Sequence, residues 1–133
     1  MATANDAPGL IDTDILIDGA RKLPSAVAYL TMRQAEAPIR ISVISAMELV
    51  SGCRDKRELE EVQRFLTPID VIPICERISR AAWELVVSFR LSHGLLLPDA
   101  FIAATAREHG LTLNTRNTRH FEMIPDLVVV RPY

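Results

Sequence analysis

Three carboxylates and one amide lie beside apolar segments that are far apart in this 133-residue chain. Asp12 ends the apolar run GLI, Glu48 lies within SAMELV, Asp99 follows LLLP, and Asn117 lies in TRNTRHF. A carboxylate taken out of water must be paired, protonated or placed beside a metal ion, because burying its charge alone is costly. These four residues are therefore the candidates for chemistry if folding brings them together.

Carboxylates that converge in a partly dry cleft repel one another, and each makes its neighbour harder to ionise. A divalent cation removes that conflict. Oxygen ligands suit Mg²⁺, with Mn²⁺ as a plausible substitute, whereas the three histidines are too far apart in the chain to suggest a local zinc pair. Such a site activates water for hydrolysis of a phosphodiester, which makes nucleic acid the expected substrate.

The apolar pattern predicts five short strands separated by helices. Strands are expected at 9–13, 39–44, 70–74, 111–115 and 127–131, and helices at 24–37, 45–54, 57–66, 76–92 and 98–109. Continuous apolar strands joined by helical crossovers predict a mostly parallel five-stranded sheet in a three-layer α/β/α sandwich. Ligands of such sheets bind beyond the carboxyl ends of the strands. Asp12, Glu48 and Asp99 are all expected at that edge.

Details of the helices follow from caps and periodicity. Ser45 is predicted to cap the helix that contains Glu48, and Val27 and Leu30 are predicted to face the core. The stripe Ile78, Ala82, Leu85, Val86 and Phe89 predicts the buried side of a helix that stops near Gly94, with Trp83 off that stripe.

Bulk properties indicate one soluble domain over residues 9–133, after a short flexible leader at 1–8. The start of the chain does not resemble a signal peptide, and no apolar run approaches the roughly 20 residues that cross a bilayer, so a cytoplasmic protein is expected. A net charge of -2 argues against coating nucleic acid by charge alone. Cys53 and Cys75 are expected to be free thiols.

Each candidate residue also has a purely structural interpretation. Ser45 and Glu48 fit an S-x-x-E capping box, Asp99 suits the first turn of a helix, and Asn117 suits a cap for the turn TRHF. Asp12 is harder to explain in this way, because a carboxylate at a strand end has no such routine use.

The segments IDTDILID, SAMELVSG, LLPDAFIAATAREHG and LNTRNTRHF, in this order, resemble the four acidic motifs of PIN domains, particularly VapC-like toxins of type II toxin-antitoxin systems. The resemblance implies a Mg²⁺- or Mn²⁺-dependent endoribonuclease, a homodimer, an RNA substrate and a VapB-like antitoxin partner. It assigns the metal to Asp12 and Asp99, with Glu48 contributing directly or through water, and makes Thr13 and Thr115 polar supports.

The fourth acidic position of the family falls on Asn117, which cannot neutralise a cation. Asn117 is therefore expected to orient water or a ligand, and a second metal is in doubt. This departure also motivates a competing hypothesis, a PIN-fold binding module without turnover. A phospho-signalling receiver domain is disfavoured, because the only lysines, Lys22 and Lys56, lie too early in the chain.

Several residues near the motifs keep open roles. Asp14 is expected to lie away from the site if the first strand continues, or to turn outward if a helix begins there, and Asp18 is expected to belong to a turn. Arg116 and Arg119 either contact RNA phosphates, remain solvated or pair with Glu122. His93, His109 and His120 are given no chemical role, and His120 is expected to pack or cap.

Overall fold

The computed structural model describes residues 9–133, so the predicted leader at 1–8 lies outside the described residues. The strands are β1 (Gly9–Ile11), β2 (Arg40–Ser42), β3 (Asp70–Ile72), β4 (Thr112–Asn114) and β5 (Val129–Val130). The helices are α1 (Thr13–Ala20), α2 (Pro24–Glu36), α3 (Val43–Ser51), α4 (Lys56–Leu66), α5 (Glu76–His93) and α6 (Leu97–Glu108), with a 3₁₀ turn at Thr118–His120.

The strands form one sheet in the order β3-β2-β1-β4-β5, and every pairing is parallel. This confirms the predicted parallel α/β architecture. Because β1 lies at the centre and Ile11 pairs with Asn114 of β4, the residues that follow these two strands emerge side by side at the carboxyl edge. That register positions Asp12 next to Thr115.

Two apolar clusters cover the two faces of the sheet. Leu10 joins a cluster with Ile102 of α6 and Phe121, while Ile11 joins the cluster of Leu16 and Leu49 on the other face. Successive residues of a strand point to opposite faces, so β1 supplies both cores. No helix within residues 9–133 combines the length and apolar character of a bilayer span.

The sequence pattern missed one helix, α1, and placed the start of another, α3, two residues too late. The first strand ends at Ile11 and α1 begins at Thr13, and the second ends at Ser42, whose hydroxyl accepts a hydrogen bond from the Ile44 N–H at 3.1 Å. The prediction that Ser45 caps this helix is therefore wrong. The start of α1 contains Ile15 and Ile17 and that of α3 contains Val43 and Ile44, and the strand preference of these β-branched residues is overridden by packing in the folded chain.

Other predictions about the helices can be compared with burial. Leu30 is buried as expected, whereas Val27 is 40% exposed, so its predicted core position is wrong. The stripe predicted for α5 packs into the core, and the helix ends at Gly94, whose φ of 68° is the left-handed conformation that glycine adopts readily. Cys53 and Cys75 are both free, as predicted.

Candidate functional site

Asp12 lies between β1 and α1 and is only 5% exposed. Its backbone N–H donates to the Asn114 carbonyl at 2.9 Å, which extends the β1–β4 ladder by one residue. Its Oδ1 accepts from the Thr13 N–H at 2.7 Å, and its Oδ2 accepts from the Thr115 hydroxyl at 2.8 Å. The carboxylate therefore caps α1 and also links the end of β1 to the residue that follows β4.

Glu48 reaches the same edge from α3, at the more exposed rim. The Thr13 hydroxyl lies 2.8 Å from Glu48 Oε1, and a second hydrogen bond of 2.8 Å joins the hydroxyls of Thr13 and Ser45. The capping-box interpretation of Ser45 and Glu48 is thus wrong, since both side chains contact the start of α1. The Thr13 hydroxyl thus contacts Glu48, and the role of Thr13 as a polar support stays a prediction.

Asp99 enters from the first turn of α6, and its side chain is 17% exposed. Its Oδ2 lies 3.4 Å from Nδ1 of His120, in the 3₁₀ turn that follows β4. Phe121, fully buried in the core, anchors the end of this turn. The contact between His120 and Asp99 was missed by the sequence reasoning, which gave that histidine only a packing or capping role.

Burial raises the pKa of Asp12 from its ordinary value of 3.8 to about 7. The negative charge of Asp14 adds to this rise, and that of Asp99 contributes less, while hydrogen bonds from Thr115 and Thr13 oppose it. Desolvation and like charge both disfavour the ionised carboxylate. Asp12 is therefore a carboxyl group that resists ionisation in the metal-free protein.

Burial also raises the pKa of Asp99. The charge of His120 opposes that rise, and the negative charges of Glu48 and Asp14 add to it. Asp99 thus interacts with acids from both α3 and the first turn of α1. Carboxylates from three parts of the chain thus interact electrostatically through Asp99.

The donor set fits a divalent cation by its chemistry, because it consists of carboxylate oxygens with excess negative charge. Within residues 9–133, no three side chains of His, Cys, Asp or Glu are already arranged around a metal position. Instead, each acid contacts a donor of its own: Asp12 contacts Thr115, Glu48 contacts Thr13, and Asp99 contacts His120. Carboxylate oxygens carry spare lone pairs, so these contacts leave each acid able to bind a cation.

Asn117 lies exposed at the rim of this edge. Its backbone N–H donates to the Thr115 hydroxyl at 3.0 Å, whereas its side chain makes no capping hydrogen bond to the 3₁₀ turn. Asn117 therefore occupies the predicted cap position without the predicted capping contact. Thr115 is fully buried and links Asn117 to Asp12.

The two predicted phosphate-binding arginines have different surroundings. The guanidinium of Arg116 stacks on the Tyr133 ring, with its Cζ 4.8 Å from the ring centroid, and its Nη1 lies 4.0 Å from Asp18 Oδ2. Arg119 is exposed, and a cavity of about 300 Å³ lies between these two arginines and Arg131. Of the two arginines, Arg116 is therefore the one whose side chain is positioned by contacts with Tyr133 and Asp18.

Two acids on α1 also differ from expectation. Asp18 lies inside α1 and accepts a hydrogen bond of 3.2 Å from the Tyr133 hydroxyl, so its prediction as a turn residue is wrong. Asp14 lies in the first turn of α1 and accepts from the Arg116 N–H at 2.8 Å. The expectation that Asp14 turns outward if a helix begins there is wrong, because α1 does begin at Thr13 and the Asp14 side chain contacts the backbone that follows β4.

Comparison with known proteins shows the family of this chain. The PIN-domain family matches residues 9–126. The chain is 39% identical to "Ribonuclease VapC10" of Mycobacterium tuberculosis over 119 residues, which is 89% of each protein. Among solved structures, it is 36% identical to a toxin-antitoxin complex from Klebsiella pneumoniae, with a TM-score of 0.74 over 94% of this chain and 98% of that one.

A second solved structure, VapBC2 from Rickettsia felis bound to a promoter DNA fragment, has a TM-score of 0.76 and 26% identity, and the match covers 91% of this chain and 96% of that one. The chain belongs to the PIN-domain family. Within that family it belongs to the VapC group.

Proposed function

We propose that this protein is a divalent-metal-dependent endoribonuclease that acts in the cytoplasm as the toxin of a VapBC-type pair. One observation carries the proposal: Thr13 contacts both Asp12 and Glu48, and the charge of Asp99 acts on Asp12, so acids from three separate elements lie near one another at the carboxyl edge of a parallel sheet. The names of its relatives support the activity, since VapC10 and VapC19 of Mycobacterium tuberculosis are both called ribonucleases.

Asp12 and Asp99 hold the cation in this proposal, with Mg²⁺ expected and Mn²⁺ a plausible substitute, and Glu48 contributes directly or through water. A bound cation of this kind lowers the pKa of water and neutralises charge that develops on a phosphodiester. Thr115 and Thr13 orient the carboxylates of Asp12 and Glu48 through the hydrogen bonds described above.

Asn117 orients the attacking water or a neighbouring ligand from the rim of the site. Arg119 binds an RNA phosphate. Arg116 offers a second phosphate contact through the exposed part of its guanidinium, which also contacts Tyr133 and Asp18. Arginine suits this role because its planar donors match phosphate oxygens. Asn117, Arg116 and Arg119 line the same cavity of about 300 Å³, which is the proposed path of the RNA backbone.

A VapB-like antitoxin is the proposed partner, and a groove of about 710 Å³ between α1, α3 and α4 is its proposed site. Apolar side chains of Ile17, Val62 and Phe65 line this groove, and it extends to Glu48. None of the residues of α4 is fully buried, so its apolar side lacks a complete cover within the described chain. A partner arginine placed at the Glu48 end would pair with the acids.

A second copy of the chain is the proposed partner of α5. Trp83, Val87 and Leu91 follow one another at helical spacing and are 73%, 72% and 100% exposed. Exposed apolar patches of this kind mark interaction surfaces. Arg80 and Glu84 lie beside this stripe, and Arg80 pairs with Glu76 of the same helix, with its Nη2 2.8 Å from Glu76 Oε1. The Trp83→Glu variant is expected to be monomeric by light scattering, whereas an unchanged dimer would place the contact elsewhere.

A binding module without turnover is the second candidate function, and the amide at Asn117 favours it. An amide neither neutralises a cation nor acts as a base. This module would bind antitoxin or RNA through the same surfaces and would leave RNA intact.

Cleavage of a mixed RNA pool with Mg²⁺ and with EDTA separates the two candidates. The wild-type protein is expected to cut RNA only with Mg²⁺, and Asp12→Asn and Asp99→Asn are expected to lose activity by at least about 100-fold. Asp70→Asn, which alters a surface ion pair with Arg40, is the matched control and should keep full activity. Metal-independent cleavage, or full activity in a folded Asp99→Asn variant, would contradict the proposal.

A further inference from the structure

Asp14 makes hydrogen bonds that neither the sequence motifs nor the proposed metal site explains. Its Oδ1 accepts from the Ile15 N–H at 2.8 Å, within the first turn of α1. Its Oδ2 accepts from the Arg116 N–H at 2.8 Å and lies 3.4 Å from the Thr115 hydroxyl. One carboxylate thus joins the start of α1 to a segment about 100 residues later in the chain.

That segment carries the residues that complete the site. The Thr115 hydroxyl donates to Asp12 Oδ2 at 2.8 Å and accepts from the Asn117 N–H at 3.0 Å. A hydroxyl has one proton, and the shorter contact, to Asp12, is the one that uses it. Asp14 instead holds the backbone of the next residue, Arg116, and this fixes the position from which Thr115 reaches Asp12.

We propose that Asp14 is a positioning residue of the acidic site: through the Arg116 N–H it anchors residues 115–117, and it thereby keeps the Thr115 hydroxyl on Asp12. This role rests on the proposed function, because its purpose is to present Asp12 to the cation. Groups that orient metal ligands in this way typically change metal affinity by 10- to 100-fold when removed.

Asp18 separates this anchoring role from a simple effect of charge. It lies one turn further along α1 and carries the same charge, but it contacts only side chains, the Tyr133 hydroxyl at 3.2 Å and Arg116 Nη1 at 4.0 Å. Asp18→Asn therefore removes a like charge from the same helix without releasing the backbone of the segment. It is the matched control for Asp14→Asn.

The experiment measures Mn²⁺ affinity by calorimetry and amide hydrogen exchange by NMR. Asp14→Asn replaces one of two acceptor oxygens by an amide nitrogen, so it loses one of its backbone hydrogen bonds. We expect Mn²⁺ affinity to fall about 10-fold in Asp14→Asn and to stay within about twofold in Asp18→Asn. Equal losses in the two variants would overturn the anchoring role.

A double-mutant cycle with Thr115→Val tests whether Asp14 acts through Thr115. If it does, Asp14→Asn causes little further loss of Mn²⁺ affinity once the hydroxyl is gone, and the two effects are not additive. Fully additive losses would overturn the proposal, because a general structural effect of Asp14 does not depend on Thr115.

Amide exchange tests the role of Asp14 without metal, so a failure of this role can be told apart from a failure of the proposed function. The Arg116 amide of the wild-type protein should exchange at least about tenfold more slowly than an unprotected amide, and Asp14→Ala, which removes both acceptor oxygens, should abolish that protection. If the wild-type protein binds no Mn²⁺, the metal site fails, and the exchange measurement alone decides the role of Asp14. An unprotected Arg116 amide in the wild-type protein overturns the anchor even if the variant does not fold.

Discussion

Replacing Asp12 with Asn should change how stability depends on pH in the metal-free protein. Burial raises the pKa of Asp12 from 3.8 to about 7 in the folded chain. Between those values the folded state binds more protons at this position than the unfolded state, so the free energy of unfolding falls as pH rises. A pKa difference of about three units corresponds to about 4 kcal/mol of stability. This stability is lost as pH rises from about 4 to about 7, and above pH 7 the contribution of Asp12 to the free energy of unfolding stays constant.

The assay is urea unfolding in EDTA at several pH values from 4 to 8, for the wild-type protein and Asp12→Asn. The stability of the wild-type protein relative to the variant should fall by about 4 kcal/mol across this range, because the amide cannot ionise. The control is Asp70→Asn, at an exposed ion pair, whose difference from the wild type should vary by less than about 0.5 kcal/mol. If the difference in the free energy of unfolding between the wild-type protein and Asp12→Asn does not vary with pH, the claim that burial and like charge raise the pKa of Asp12 is refuted.

Three further predictions concern the metal and the packing around the site. Mg²⁺ at 100 times its dissociation constant should stabilise the wild-type protein by about 2.7 kcal/mol at pH 8 in urea unfolding and should stabilise Asp99→Asn much less; equal effects would contradict the site. Gly19→Ala should cost about 0.5–2 kcal/mol in the same assay, because the clash of the added Cβ with the Leu30 side chain outweighs the roughly 1 kcal/mol by which alanine favours a helix over glycine; an unchanged or raised midpoint would show that Leu30 moves freely. Phe121→Ala should cost about 3–5 kcal/mol, because the ring is fully buried beneath the 3₁₀ turn; a loss under about 1 kcal/mol would refute its anchoring role.

The sheet could be predicted from the sequence because it depends on patterns that packing reinforces. Continuous apolar strands with helical crossovers predicted a parallel sheet, and the end of the first strand predicted the edge at which Asp12 emerges. The starts of the helices were harder to predict from the sequence. The segments after Ile11 and Ser42 are strand-like in composition, and only the folded chain shows that Asp12 and Ser42 cap helices there.

The supporting contacts of the site could not be predicted for a related reason. Ser45 fitted a local capping box, but its hydroxyl contacts Thr13, which is 32 residues away in sequence. Asp14 contacts the backbone of Arg116, and His120 contacts Asp99, through pairings of the same long-range kind. Residue type and local spacing carry no information about such contacts, since they depend on the relative placement of α1, α6 and the segment after β4.

The most direct test of the acidic site is a crystal structure of the wild-type protein grown with Mn²⁺, with anomalous diffraction used to locate the ion. The account predicts one strong anomalous peak about 2.0–2.3 Å from carboxylate oxygens of both Asp12 and Asp99. No such peak should appear in crystals of a folded Asp99→Asn variant. A peak remote from both acids, or none at saturating Mn²⁺, would contradict the central claim that folding brings these carboxylates together to bind a cation.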